Sequence, residues 1–187
     1  MASIPPREVV TRDGRRLVIR SAEGADAGAI VALERAAVVE GPWTITAATD
    51  PQETPEERAI RLDRLREDPA SLAVVAEASD RLIGVAELKT GTRRRIAHRA
   101  SLGITVDARW RNVGVGRALI RTLLDWAAAQ PRIEKICLGV LGTNLRAIAL
   151  YASLGFVEEG RQPREFRLED GTFVDGVLMY LLPPRES

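Results

Sequence analysis

Residues 101–130 constrain the architecture of this chain more than any other stretch. They read Ser-Leu-Gly-Ile-Thr-Val-Asp-Ala-Arg-Trp-Arg-Asn-Val-Gly-Val-Gly-Arg-Ala-Leu-Ile, followed by a long apolar-periodic run. The part up to Val106 has the pattern of a strand. From about Gly114 the pattern is helical, with Leu119, Ile120, Leu123, Leu124 and Ala127 recurring on one face. Between them lies the turn Arg111-Asn112-Val113-Gly114-Val115-Gly116-Arg117. Two glycines at this spacing let backbone come close to a ligand with no Cβ in the way. Entry into the helix leaves N–H groups without intrahelical acceptors at the positive end of the dipole. The expected product is an anion cradle, best suited to phosphate or pyrophosphate.

Two nucleotide-site motifs compete for this turn. A dinucleotide fingerprint needs a third glycine three residues after Gly116, where Leu119 stands, and a P-loop needs a closing Gly-Lys-Ser/Thr that is absent. What remains is Arg-x-x-Gly-x-Gly between a strand and a helix.

The flanking elements follow in order. Leu17 to Arg20, after the Asp13-Gly14 turn signal, reads as a first strand. Asp26 is placed to cap a helix running to about Val39, with Ile30, Leu33 and Ala37 on one face, and Gly41-Pro42 ends it. Thr54-Pro55-Glu56-Glu57 carries a capping box with proline at the first helical position, opening a second helix to about Glu67. Residues 72–78 and 82–89 form a hairpin through Ser79-Asp80. Thr90 to Arg95 is the tip of the next hairpin, and its three arginines are either solvated or in contact with phosphate. Residues 96–106 are the strand entering the central turn, with His98, Ala100, Leu102, Ile104 and Val106 on one face. Beyond Pro131 come a strand over 135–140, a helix from Asn144 closed by Gly155, a short strand opened by Phe156-Val157, and a hairpin over 162–182. Pro183-Pro184 and the polar tail end the fold.

Composition narrows the function. A chain of 187 residues is expected to be one domain, 1–187. Its 27 basic and 26 acidic residues give a net charge of +1, which makes no electrostatic case for nucleic acid or an anionic membrane. Cys137 is the only cysteine, so no internal disulfide forms, and nothing at metal-ligand spacing accompanies it; no metal is expected. The N-terminus has no apolar core of signal-peptide type and no run reaches transmembrane length, so a cytoplasmic location is the default expectation.

A second motif gives the central turn its meaning. Asn144-x-x-Ala147-x-x-Leu150-Tyr151-x-x-x-Gly155-Phe156, at its distance after Arg-x-x-Gly-x-Gly, resembles the GNAT superfamily of N-acyltransferases. The segment Asp175-Gly176-Val177-Leu178-Met179-Tyr180 is similar to the last strand of the branch holding ribosomal-protein, phosphinothricin and small-amine acetyltransferases. The resemblance covers about residues 17–182 and extends to the order of elements. It implies an α+β fold: a mixed, mostly antiparallel sheet flanked by about four helices, with acetyl-CoA wedged where the strands over 98–106 and 135–140 splay apart.

The resemblance also implies site residues. The backbone of Ile104, Thr105 and Val106 would pair with pantetheine. The amides of Arg111, Asn112, Val113, Gly114, Val115, Gly116 and Arg117 would hold pyrophosphate. Asn144 would contact the pantetheine arm, and Tyr151 stands where the family keeps a general acid for the coenzyme thiolate; the bland reading of Tyr151 is a core aromatic. No motif fixes a base. Glu87 and His98 on adjacent strands are candidates, Glu87 the better of the two because His98 reads more readily as a structural histidine; Glu34 is a third, and a water relay is a fourth route. Trp43, Glu34, Glu40 and Phe166 are expected around an acceptor pocket between the loop 41–53 and the C-terminal hairpin, although Trp43 also reads as a packing residue and both glutamates as solvated. The implied activity is transfer of acetyl from acetyl-CoA to a primary amine: a small amine, an amino acid or a protein N-terminus. A homodimer is compatible with it. The alternative is a non-catalytic acyl-CoA-binding module on the same fold.

Overall fold

The computed structural model describes residues 2–41 and 43–184; Pro42 and the tail beyond 184 lie outside them. In chain order the elements are β1 (Arg7–Val10), β2 (Arg16–Ser21), α1 (Ala27–Val39), α2 (Pro55–Glu67), β3 (Leu72–Ala78), β4 (Arg81–Thr90), β5 (Arg99–Val106), α3 (Val115–Ala128), β6 (Lys135–Leu141), α4 (Leu145–Ala152), β7 (Val157–Arg167) and β8 (Phe173–Leu181). The strands make one sheet in the order β1-β2-β3-β4-β5-β6-β8-β7. Neighbours are antiparallel except β5 and β6, which run parallel. This is the mixed, mostly antiparallel sheet with four helices that the sequence led us to expect.

Strand alternation sorts the side chains into two cores. From β3, Ala73 and Val75 face α1 and α2, meeting Ile30, Leu33, Leu62 and Leu65. Leu72, Val74 and Ala76 face the other way, into the core built on Leu119, Ile120 and Leu123 of α3. These three α3 side chains are fully buried, each worth roughly 1.5–3 kcal/mol relative to exposure. Contact between α3 and β4 is close: a Cβ on Gly84 would stand 2.9 Å from Leu119 Cδ1.

Local signals held at several ends. Thr54 Oγ1 accepts from Glu57 N–H at 3.2 Å while Glu57 reaches back to Thr54 N–H at 2.8 Å. Ser79 and Asp80 make the β3–β4 turn with positive φ of 49° and 58°. Asp26 precedes α1 as expected, but its carboxylate does not cap that helix. It accepts from Glu23 N–H at 2.8 Å and takes Arg20 in a fork at 2.8 and 2.9 Å.

Several boundaries differ from expectation. The sheet begins at Arg7, because β1 pairs along β2 as an edge strand too short to show periodicity. β5 starts at Arg99; residues 94–96 form a 3₁₀ turn instead of strand. β7 is one long strand joining the two pieces read separately, with register shifts at Glu158/Gly160 and Gln162/Phe166. No helix among the described residues is long and apolar enough to cross a membrane.

Candidate active site

The cleft is made by two strands that part. β5 and β6 pair only at Arg99–Lys135, Ala100–Ile136 and Ser101–Cys137. Further along, β5 remains held by β4 as far as Val106, and β6 by β8 as far as Leu141. Each strand is therefore anchored on its outer edge while the inner edges separate. A cleft of about 940 Å³ occupies the opening, with residues 102–106 on one wall and 139–141 on the other. Ile104, Thr105 and Val106 lie on it as expected, though the Val106 carbonyl already accepts from Arg111 Nε at 2.9 Å.

At one end of the cleft is the glycine turn. Gly114 caps α3 in the left-handed region, φ 106° and ψ −4°, where an L-residue is strained. The backbone N–H groups of residues 112–117 have no acceptor among the described residues. Six free donors in a row, at the start of a helix, suit a pyrophosphate. The Arg111 amide is not among them, since it donates to Ala108 O at 3.3 Å. The Arg111 side chain is occupied as well: besides Val106 it binds Glu40 at 2.5 Å. Arg111 thus fastens the turn to β5 and to the end of α1. Glu40 is used for that fastening and does not line the acceptor end.

α4 forms the far wall. Asn144 Oδ1 accepts from Ala147 N–H at 3.2 Å, leaving Nδ2 without a partner among the described residues and on the cleft. Tyr151 packs edge-on to Phe156, ring centres 5.9 Å apart, and also lines the cleft. Its core and site readings are therefore not exclusive. Burial pushes its phenol up to about 12, so the hydroxyl is protonated throughout the neutral range.

The end of the cleft expected to take the acceptor is lined by Glu34, Trp43, Glu53 and Arg58. Behind them runs an ion-pair network. Arg58, 4% exposed, holds Glu34 through Nη2 and Glu53 through Nε at 2.6 Å. Arg61 joins Glu53 at 3.0 Å to Glu87, whose two oxygens it contacts at 2.7 and 2.8 Å. Three carboxylates face two guanidinium groups, so the network itself carries one negative charge, and of its members Glu34, Glu53 and Arg58 border the cleft. Burial raises the proton affinity of Glu34 above the usual glutamate range, against the opposing pull of Arg58. On the rim, Arg146 sits 5.8 Å over the Trp43 ring and has no acidic partner among the described residues.

Four expectations fail here. His98 is exposed in the turn before β5, and its carbonyl, not its ring, is used, accepting from Glu134 N–H at 2.8 Å. Glu87 pairs with Gly103, five residues on from His98, which is roughly 15 Å of extended chain; the two do not meet. Phe166 lies outside the cleft, packed against the backbone of Gly176. The C-terminal hairpin does not wall the acceptor end either, because β8 covers the outer edge of β6. Residues 93–95 are exposed and away from the cleft, which favours their solvated reading. Arg58 and Arg61 escaped notice in the sequence. The available signal was Arg58 in the buried stripe with Leu62 and Leu65, a cation where helical spacing demands an apolar residue.

The fold and the cleft define an acyltransferase of coenzyme A thioesters, and comparison with known proteins agrees. Residues 36–156 match the model of the acetyltransferase (GNAT) family. The chain is 33% identical over 117 residues to an L-amino acid N-acetyltransferase of Escherichia coli, covering 63% of this chain and 72% of that one. It is 36% identical over 110 residues to a spermidine N(1)-acetyltransferase of Vibrio cholerae, covering 58% and 61% respectively. A GNAT-family acetyltransferase from Streptococcus pneumoniae superposes with a TM-score of 0.84 at 32% identity, covering 89% of this chain and 99% of that one. The chain belongs to the GNAT acetyltransferase family. Its class is that of enzymes which move acetyl from acetyl-CoA to an amine nitrogen; nothing in the comparisons supports a non-catalytic binding module.

Proposed function

We propose that the acceptor is the amino group of a small amino acid, that Glu34 takes its proton, and that Tyr151 donates a hydrogen bond to the departing thiolate. The observation that carries this is one cleft holding both an acidic floor, at Glu34 and Glu53, and a rim arginine, Arg146, with no acid of its own. An amino group that is protonated at neutral pH must lose its proton before it can attack a thioester. The acidic floor attracts the cation, and Glu34, which lines the cleft and whose Oε1 makes no hydrogen bond among the described residues, acts as base. Glu87 is tied at both oxygens by Arg61 and serves to position that arginine. Arg146 then suits the acceptor carboxylate. The Escherichia coli relative acts by name on L-amino acids and the Vibrio cholerae one on spermidine; Arg146 favours the first kind.

Tyr151 is better suited to donate a hydrogen bond than to give up its proton. Transfer from a phenol near 12 to a thiolate whose acid has a pKa of about 8.5 is uphill by roughly 5 kcal/mol. A hydrogen bond to the developing charge is worth about 1.5–3 kcal/mol, after which solvent supplies the proton. Tyr151→Phe should lower kcat roughly 10- to 100-fold with coenzyme affinity little changed. Turnover equal to the wild type would assign the residue to packing.

The acceptor is tested by coenzyme release with paired substrates, an amino acid and the amine left on removing its carboxyl group. We expect kcat/KM to favour the amino acid by roughly tenfold, the usual worth of a charge-assisted contact. Equal rates, or preference for the amine or a polyamine, would overturn the amino-acid assignment and leave acetyl transfer standing.

A further inference from the structure

On the other face of the glycine turn, a second cavity of about 480 Å³ opens between β1 and the first turns of α3. Arg7, Arg12, Arg117 and Arg121 line it, and Asp125 is the one acid among its lining residues. It adjoins the main cleft, since Arg12, Gly114 and Arg117 border both.

The charges are poorly placed for the protein alone. Arg117 and Arg121 stand four apart on α3, a repulsive spacing, and Arg117 lies in the first turn, where the helix dipole disfavours a cation. Nearby groups do little to offset this. Arg7 reaches Asp125 only at 3.8 Å, with both side chains more than 60% exposed. Arg117 donates to the neutral Ser153 hydroxyl at 2.5 Å. The guanidinium groups of Arg12 and Arg121 have no ion-pair partner among the described residues. Arg12 is nonetheless held against the turn, its N–H donating to Val113 O at 2.9 Å. Such an arrangement fits an anion brought from outside.

The coenzyme carries one. Its ribose bears the diphosphate at the 5′ position and a phosphomonoester at the 3′ position of the same ring. The 3′-phosphate hangs from the same ribose as the diphosphate, and Gly114 and Arg117, whose N–H groups belong to the row of residues 112–117, also border the second cavity. A phosphomonoester is mostly doubly charged near neutrality, and guanidinium forks match its oxygens. We propose that the cavity of Arg12, Arg117 and Arg121 receives the 3′-phosphate of coenzyme A, so that this chain distinguishes coenzyme A from its 3′-dephospho form. The proposal rests on the main cleft being the acyl-coenzyme site.

Calorimetric titration of the full chain with coenzyme A and with dephospho-coenzyme A tests it, on the wild type, Arg121→Gln and Arg12→Gln. The wild type should bind coenzyme A roughly 10-fold or more tightly than the dephospho form. Each variant should lose most of that preference, and Arg121→Gln, which lies off the main cleft, should keep its affinity for the dephospho form within about twofold of wild type. Equal binding of the two forms by the wild type would overturn the proposal while leaving the cleft as the coenzyme site. A preference that survives both substitutions would overturn it too. Saturable heat from inorganic phosphate without any preference between the coenzymes would mark a free-anion site instead, and no binding of either coenzyme would remove the cleft reading along with this one.

Discussion

Glu34→Gln should lower kcat/KM for the amine by roughly 100-fold at pH 7, within the range expected for loss of a general base. The amide keeps the shape but cannot take a proton. Arg58 retains Glu53 as partner, so the change should leave the fold intact, and an unchanged melting temperature is the control. The pH profile adds a sign. Burial raises the proton affinity of Glu34, so as pH falls the base is lost before an ordinary glutamate would be. The acidic limb of the wild-type profile, measured at saturating coenzyme, should therefore lie above the normal glutamate value and vanish in the variant. A limb that stays in place would return the proton to a water relay or to the acceptor's own ionisation.

Gly114→Asp should weaken acetyl-CoA binding by on the order of 100-fold. Two effects act together. A residue with φ of 106° pays backbone strain once it carries a Cβ. The added carboxylate also stands beside the free N–H groups of residues 112–117, in the place of the pyrophosphate charge. Space is not the obstacle, since the nearest atom to a new Cβ is Arg12 Cγ at 3.9 Å. Gly114→Ala separates the two effects: it carries the strain without the charge, and its loss of affinity should be clearly smaller. Calorimetric titration returning the wild-type dissociation constant for the aspartate variant would exclude this turn as the phosphate site.

Short-range chemistry is what the sequence carries plainly. The capping box at Thr54 and Glu57, the Ser79-Asp80 turn, the glycine turn into α3 and the Asn144 start of α4 each depend on residues within a few positions of one another. The apolar stripe of Leu119, Ile120 and Leu123 likewise needs only helical spacing. From these the order of elements follows, and with the second motif so do the residues 104–106, 112–117, 144 and 151 that line or border the cleft. β1 escaped because four residues on a sheet edge gain their stability from β2, not from a pattern of their own. His98 was misplaced because alternation was extended past the point where the 3₁₀ turn breaks it.

The acceptor half was decided by the tertiary structure. Whether Glu87 meets His98 depends on the β4–β5 register, which pairs Glu87 with Gly103, and no local pattern sets that register. The Glu34–Arg58–Glu53–Arg61–Glu87 chain joins α1, the following loop, α2 and β4, residues up to 53 positions apart, through ion pairs that exist only once both helices lie on the sheet. The resemblance put the Arg111 amide among the pyrophosphate donors, yet folding closes that amide on Ala108 O and gives the side chain to Glu40 and the Val106 carbonyl. The turn, the helices and the row of N–H groups at the start of α3 could be read from the chain because they are properties of neighbouring residues. Which charged side chains face one another across the cleft was left to the packing of distant elements, because charge pairing has no period along a chain.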